Sequence, residues 1–81
     1  MKIISLNQVP NGKPYKIIEI TASLESRKKL LALGIHVGDF INKINQSRWS
    51  PVLIQNLTTN SSKIAIGHGL ARKIMVRDDQ L

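Results

Sequence analysis

The run Leu30-Leu31-Ala32-Leu33-Gly34-Ile35-His36-Val37-Gly38-Asp39 constrains this chain more than any other, because it demands a helix that stops abruptly and a strand that starts a few residues later. Gly34 stands where a helix end needs a left-handed residue, a conformation that glycine enters without a Cβ penalty. With Gly34 one residue past the helix, Ile35 and Leu30 fall at the two positions whose apolar contact commonly seals such an end. Gly38 and Asp39 turn the chain again before Phe40 and Ile41. Leu30, Leu33, Gly34, Ile35 and Gly38 are therefore read as architectural.

Upstream, Ser5 to Val9 fits one helical turn capped by Ser5, with Leu6 and Val9 facing inward. Pro10-Asn11-Gly12 then forces a turn. Tyr15 to Thr21 is rich in β-branched and aromatic residues and reads as the first strand, with Ile18 and Ile20 toward the core and Glu19 outward between them. Ser23 is a good N-cap for a helix over Leu24 to Leu33, with Glu25 in its first turn and Lys28 and Lys29 later, the charge order that the helix dipole favours. Leu24, Leu30, Leu31 and Leu33 are expected to cover the sheet, leaving Arg27, Lys28 and Lys29 mostly on the solvent side.

Downstream, Phe40 to Asn45 reads as a second strand whose imperfect alternation suggests a bulge. Gln46 to Pro51 reads as a polar loop that carries the single tryptophan, Trp49. Val52 to Leu57, Lys63 to Ile66 and Lys73 to Arg77 complete five strands, with one helical turn over Leu70 to Arg72. Five short strands, one helix and no crossover helices describe a small, largely antiparallel barrel. The 81 residues are read as one domain, 1–81. A chain this short buries only roughly 60 to 65% of the surface its unfolded form exposes.

The sequence offers little chemistry. Its acids are Glu19, Glu25, Asp39, Asp78 and Asp79, and no nucleophile stands with a base in a recognisable pattern. His36 and His68 are thirty-two positions apart, without cysteine and without a His-Glu-x-x-His arrangement, so neither a cofactor nor a tight metal site is expected. Gly67-His68-Gly69 lacks the continuation that a phosphate-binding loop requires and is read as a bend. The apolar start ends at Asn7 and Gln8, far short of a signal peptide or a membrane span, and the absence of cysteine suits a reducing compartment. We read the chain as cytoplasmic.

Twelve Lys and Arg against five Asp and Glu give a formal charge of +7, which favours an anionic partner: nucleic acid, membrane surface or acidic protein. The basic residues are spaced along the chain rather than massed. Tyr15, Phe40 and Trp49 are too few for a stacking platform, which leaves a basic barrel binding RNA or DNA as the alternative reading.

The pattern Leu30-x-x-Leu33-Gly34-Ile35-x-x-Gly38, with Ser50-Pro51, Ile64-Ala65-Ile66-Gly67 and Leu70-Ala71-x-x-Ile74-x-Val76, resembles the FeoA family across nearly the whole chain. It departs from that family's pattern at Val37, where proline is usual, and at Ser50, where Asp is usual. The same corner occurs in the C-terminal barrels of metal-dependent repressors. The resemblance implies an SH3-like barrel with an inserted helix and no catalysis of its own. It further implies a role in bacterial ferrous iron uptake through the cytoplasmic GTP-binding part of the FeoB transporter. Arg48 and Trp49 in the loop, and Leu70, Arg72 and Lys73 near the end, are the expected partner contacts.

Overall fold

The computed structural model describes residues 2–47 and 50–78. In chain order the elements are β1 (Ile3–Ser5), a short 3-10 helix (Leu6–Gln8), β2 (Pro14–Ile20), α1 (Leu24–Ala32), β3 (Phe40–Ser47), β4 (Ser50–Asn56), β5 (Lys63–Ile66), α2 (His68–Ala71) and β6 (Ile74–Arg77). The strands form one sheet in the order β1-β6-β2-β3-β4-β5, and every neighbouring pair is antiparallel. The expected mainly β architecture with one principal inserted helix is present, with six strands in place of five. The extra strand, β1, is only three residues long, and its pairing of Ile3, Ile4 and Ser5 with Arg77, Val76 and Met75 is a long-range contact that local sequence does not announce.

Alternation supplies the core. Tyr15 and Ile17 of β2, Ile41 of β3, Val52 and Ile54 of β4, Ile66 of β5, and Ile74 and Val76 of β6 all turn to one buried cluster. Leu6 and Val9 reach it from either end of the 3-10 helix, facing inward as their spacing requires. Ser5 does not act as the expected side-chain cap. Its hydroxyl donates instead to Asn7 Oδ1 at 2.6 Å. Register shifts after Lys43 and Asn45 supply the irregularity expected of β3.

Two expectations about the core are corrected. Ile18 does not face inward: Ile17 is fully buried, and Ile18 lies half-buried on the opposite side. The cause is a bulge, since Ile17 pairs with Val76 while the next pair is Glu19 with Met75. The extra residue lets Ile17 and Ile20, three apart, both contact the core, with Glu19 exposed between them. Nor does α1 bury its leucines: Leu30 is fully buried, while Leu24, Leu31 and Leu33 are 62%, 54% and 46% exposed. The nine-residue helix rests on the sheet along one narrow line.

Its ends follow local chemistry. Ser23 Oγ accepts from Ser26 N at 3.2 Å, capping the start. At the other end Ile35 N donates to Leu30 O and Gly34 N to Leu31 O, both at 2.9 Å, which is the paired bonding of a Schellman motif. Ile35 and Leu30 are both fully buried, and Gly34 has φ 85°. A Cβ at Gly34 would meet nothing within 4 Å, so the cost of a side chain there is conformational rather than steric crowding by neighbours. Gly34→Val should destabilise the domain by about 1–2 kcal/mol, a drop of roughly 5–10 °C in melting temperature. Gly67→Ala is the control, because Gly67 is equally uncrowded but has φ −61°, and it should melt within about 2 °C of the parent.

Candidate functional site

Beyond Gly34 the chain hooks back onto β2. Gly38, at φ 98°, donates to Ile17 O at 2.7 Å, and Ile17 N donates to Asp39 O at 2.9 Å. This places Ile35, His36 and Val37 alongside the outer face of β2 and the side of α1. Between them lies a hollow of about 450 Å³. Ile18, Ile20 and Ile35 form its apolar base, Leu24 and Leu31 its helical wall, and Val37 its far edge, with Arg27, Lys28, Glu19 and His36 around the rim.

The geometry of α1 explains this composition. Leu24, Arg27, Lys28 and Leu31 stand at i, i+3, i+4 and i+7, which is one face of a helix. Arg27 and Lys28 therefore flank the exposed leucines on one side of α1 and Lys29 lies on the other, all three exposed as expected of a solvent face. Leu24, Leu31 and Val37 are each more than half exposed. Three large apolar side chains around one concavity, with cations between, make a surface suited to an amphipathic partner segment.

The hollow has a rigid backing. Asp39 is nearly buried, and its Oδ2 accepts from His36 N at 2.9 Å and from Asn56 Nδ2 at 2.7 Å, with His36 Nδ1 at 3.0 Å. Asn56, fully buried at the end of β4, also donates to Gly34 O at 2.9 Å, so one amide ties the helix end, the corner and the sheet together. Burial alone raises the pKa of Asp39, but the hydrogen bonds from Asn56 and His36 and the nearby imidazole outweigh it and hold the carboxyl below its ordinary value. A depressed folded-state pKa stabilises the fold above the unfolded value near 3.8, and that contribution is lost as pH falls through the folded value. In urea denaturation, the stability difference between the parent and Asp39→Asn should stay constant from pH 7 to about pH 5 and shrink steadily below about pH 4. A difference unchanged at pH 3 would remove the lock from the account.

The remaining site residues fall elsewhere. Leu70, Arg72 and Lys73 do come together, but not at the apolar hollow: with Ser26, Lys29 and Gly69 they line a second cleft on the opposite flank of α1. Arg48 and Trp49 lie outside the described residues. His68 has a local role that the sequence did not suggest, since its Nε2 lies 2.7 Å from both Ser47 O and Ser50 O and so ties α2 to the facing ends of β3 and β4. His36 is held by Asp39, and among the described residues no three His, Cys, Asp or Glu gather as metal ligands. No described helix is long and apolar enough to cross a membrane. Tyr15 is buried and Phe40 half-buried, with the ammonium groups of Lys13 and Lys16 near their rings.

The sequence does not announce the hollow, because leucines at helical spacing are expected to face the core. The signal was available: a face that alternates leucine with two cations at its central positions is expensive to bury.

The FeoA domain matches residues 4–78 of this chain. A protein of Methanocaldococcus jannaschii that carries the name Fe(2+) transport protein A is 37% identical over 67 residues, which cover 83% of this chain and 77% of that protein. Among solved structures, the crystal structure of an iron uptake regulatory protein described as FeoA aligns with a TM-score of 0.82 at 26% identity, covering 94% of this chain and 97% of the other. The solution structure of a FeoA-like protein from Clostridium acetobutylicum shares the fold, with a TM-score of 0.79 at 23% identity over 96% of this chain and 88% of that one. These likenesses place the six-stranded sheet among SH3-like folds.

Proposed function

The chain belongs to the FeoA family, and we propose that within ferrous iron uptake it is a cytoplasmic, non-catalytic accessory protein that binds the cytoplasmic part of a FeoB-type transporter. The observation that carries this reading is the apolar hollow beside α1, where Leu24, Leu31 and Val37 remain exposed around a basic lip of Arg27 and Lys28. A surface of that kind recognises a protein segment that presents apolar side chains flanked by carboxylates. The charge of +7 adds long-range attraction toward such a partner. The Asp39–Asn56 lock supports the reading by keeping the hollow preformed, so that little ordering cost falls on binding. Arg48 and Trp49 are proposed as additional contacts on sequence grounds alone.

Cells lacking the protein should take up ferrous iron poorly and recover with the parent chain. A Leu24→Ser, Leu31→Asp double variant should accumulate as a folded protein and fail to restore uptake. Full restoration by that variant would exclude the hollow as the working surface. Uptake unaffected by loss of the protein would exclude the pathway itself.

A further inference from the structure

Lys29 and the pair Arg72-Lys73 are more than forty residues apart in sequence, and the fold brings them to the same cleft. The approach is fixed by backbone. Thr21 N and Thr21 Oγ1 both donate to Lys73 O, at 2.8 and 3.1 Å, which pins the end of the α2 turn to the segment leading into α1. Leu30 under α1 and Ala71 in α2 are both fully buried, so neither helix can swing away without opening the core. Between the two helices lies a cleft of about 430 Å³.

Its lining is one-sided in charge. Ser26, Lys29, Gly69, Leu70, Arg72 and Lys73 contribute three cations and no carboxylate. Three of the four described acids are engaged elsewhere: Asp78 pairs with Lys13 at 2.7 Å, Asp39 is locked by Asn56 and His36, and Glu19 edges the apolar hollow. Glu25, one turn before Lys29, makes no ion pair with it. Like charges gathered around one concavity repel, and a bound counter-charge relieves that repulsion. Ser26 Oγ accepts from Ser23 Oγ at 3.2 Å, which leaves its own hydrogen free to be donated. A Cβ at Gly69 would meet nothing within 4 Å, so no other atom crowds the cleft at that point of its lining.

A guanidinium fork, two ammonium groups and a hydroxyl are donors matched to phosphate oxygens. Among the described residues no aromatic ring lines the cleft, so those residues offer a nucleobase no face to stack on and hold the phosphate groups alone. We propose that the cleft between α1 and α2 binds clustered phosphate of at least two negative charges, carried by a free diphosphate or by an anionic lipid headgroup. The site is separate from the apolar hollow and does not depend on the function proposed for it.

The full chain is titrated with inorganic pyrophosphate, and its cosedimentation is measured with cardiolipin-containing phosphatidylcholine vesicles against phosphatidylcholine alone. Two variants of equal charge are compared: Lys29→Gln with Arg72→Gln in the cleft, and Arg27→Gln with Lys28→Gln at the apolar hollow. All four positions are exposed, so both variants should keep the parent's melting temperature to within a few degrees. The cleft variant should lose about tenfold or more in affinity, and the hollow variant about twofold or less. Selective loss with pyrophosphate identifies a free diphosphate as the ligand, and selective loss with vesicles alone identifies the lipid headgroup. Equal loss in both variants, or no binding of either probe near physiological ionic strength, would overturn the assignment.

Discussion

Asn56→Ala is expected to cost about 2–4 kcal/mol and to lower the melting temperature by roughly 10–20 °C, a large loss for one polar side chain in a small domain. Asn56 is fully buried. Its Nδ2 donates to Asp39 Oδ2 and Gly34 O, and its Oδ1 accepts from Thr58 N at 3.0 Å and Thr59 N at 3.3 Å. Alanine removes all four bonds, leaves a nearly buried carboxylate short of a donor, and frees the turn after β4. Leaving such groups unpaired costs more than the net gain from forming the bonds, which is why the expected loss exceeds that of an ordinary surface substitution. Asn56→Asp provides a second check. It places a carboxylate against Asp39, so it should be most destabilising at neutral pH and recover in part as either acid protonates, opposite to the acid sensitivity of the parent. Variants within about 0.5 kcal/mol of the parent at pH 7 would show that the lock does not hold the corner.

The helix-to-strand corner was legible because everything that defines it is local. Leu30, Gly34 and Ile35 span six positions, and the Schellman bonds join residues within that span. The lock behind it was not legible, since Asn56 is 17 residues from Asp39 and 22 from Gly34. A trace of it remains in β4, where Val52, Ile54 and Asn56 occupy successive inward positions and the third is polar. An amide at the next inward step after two aliphatic residues needs a buried partner. Ile18 was misassigned because period-2 reasoning assumes an uninterrupted strand, and a bulge set by pairing with β6 changes the phase halfway along β2. β1 escaped notice for a related reason: three residues carry no period, and only β6 makes them a strand. The candidate site depends on the same limits. Its basic residues were visible as residues, but their division between two flanks of α1 follows from where Leu30 anchors the helix.

The second large effect concerns binding. Leu24 and Leu31 expose more than half of their surface beside a preformed hollow, and burying a leucine fully is worth about 1.5–3 kcal/mol. Placing a carboxylate at Leu31 removes that gain and sets a like charge against the acidic groups that Arg27 and Lys28 would otherwise attract. The folded state should tolerate the change, because Leu31 does not belong to the buried core cluster. The most direct measurement is a titration of the parent and Leu31→Asp chains against the isolated cytoplasmic domain of the FeoB-type transporter, with GTP, with GDP and without nucleotide. Saturable binding by the parent in at least one state, weakened roughly thirtyfold or more by Leu31→Asp while the melting temperature is retained, is the predicted result. Absence of binding by the parent in every state, or equal affinity for both chains, would contradict it.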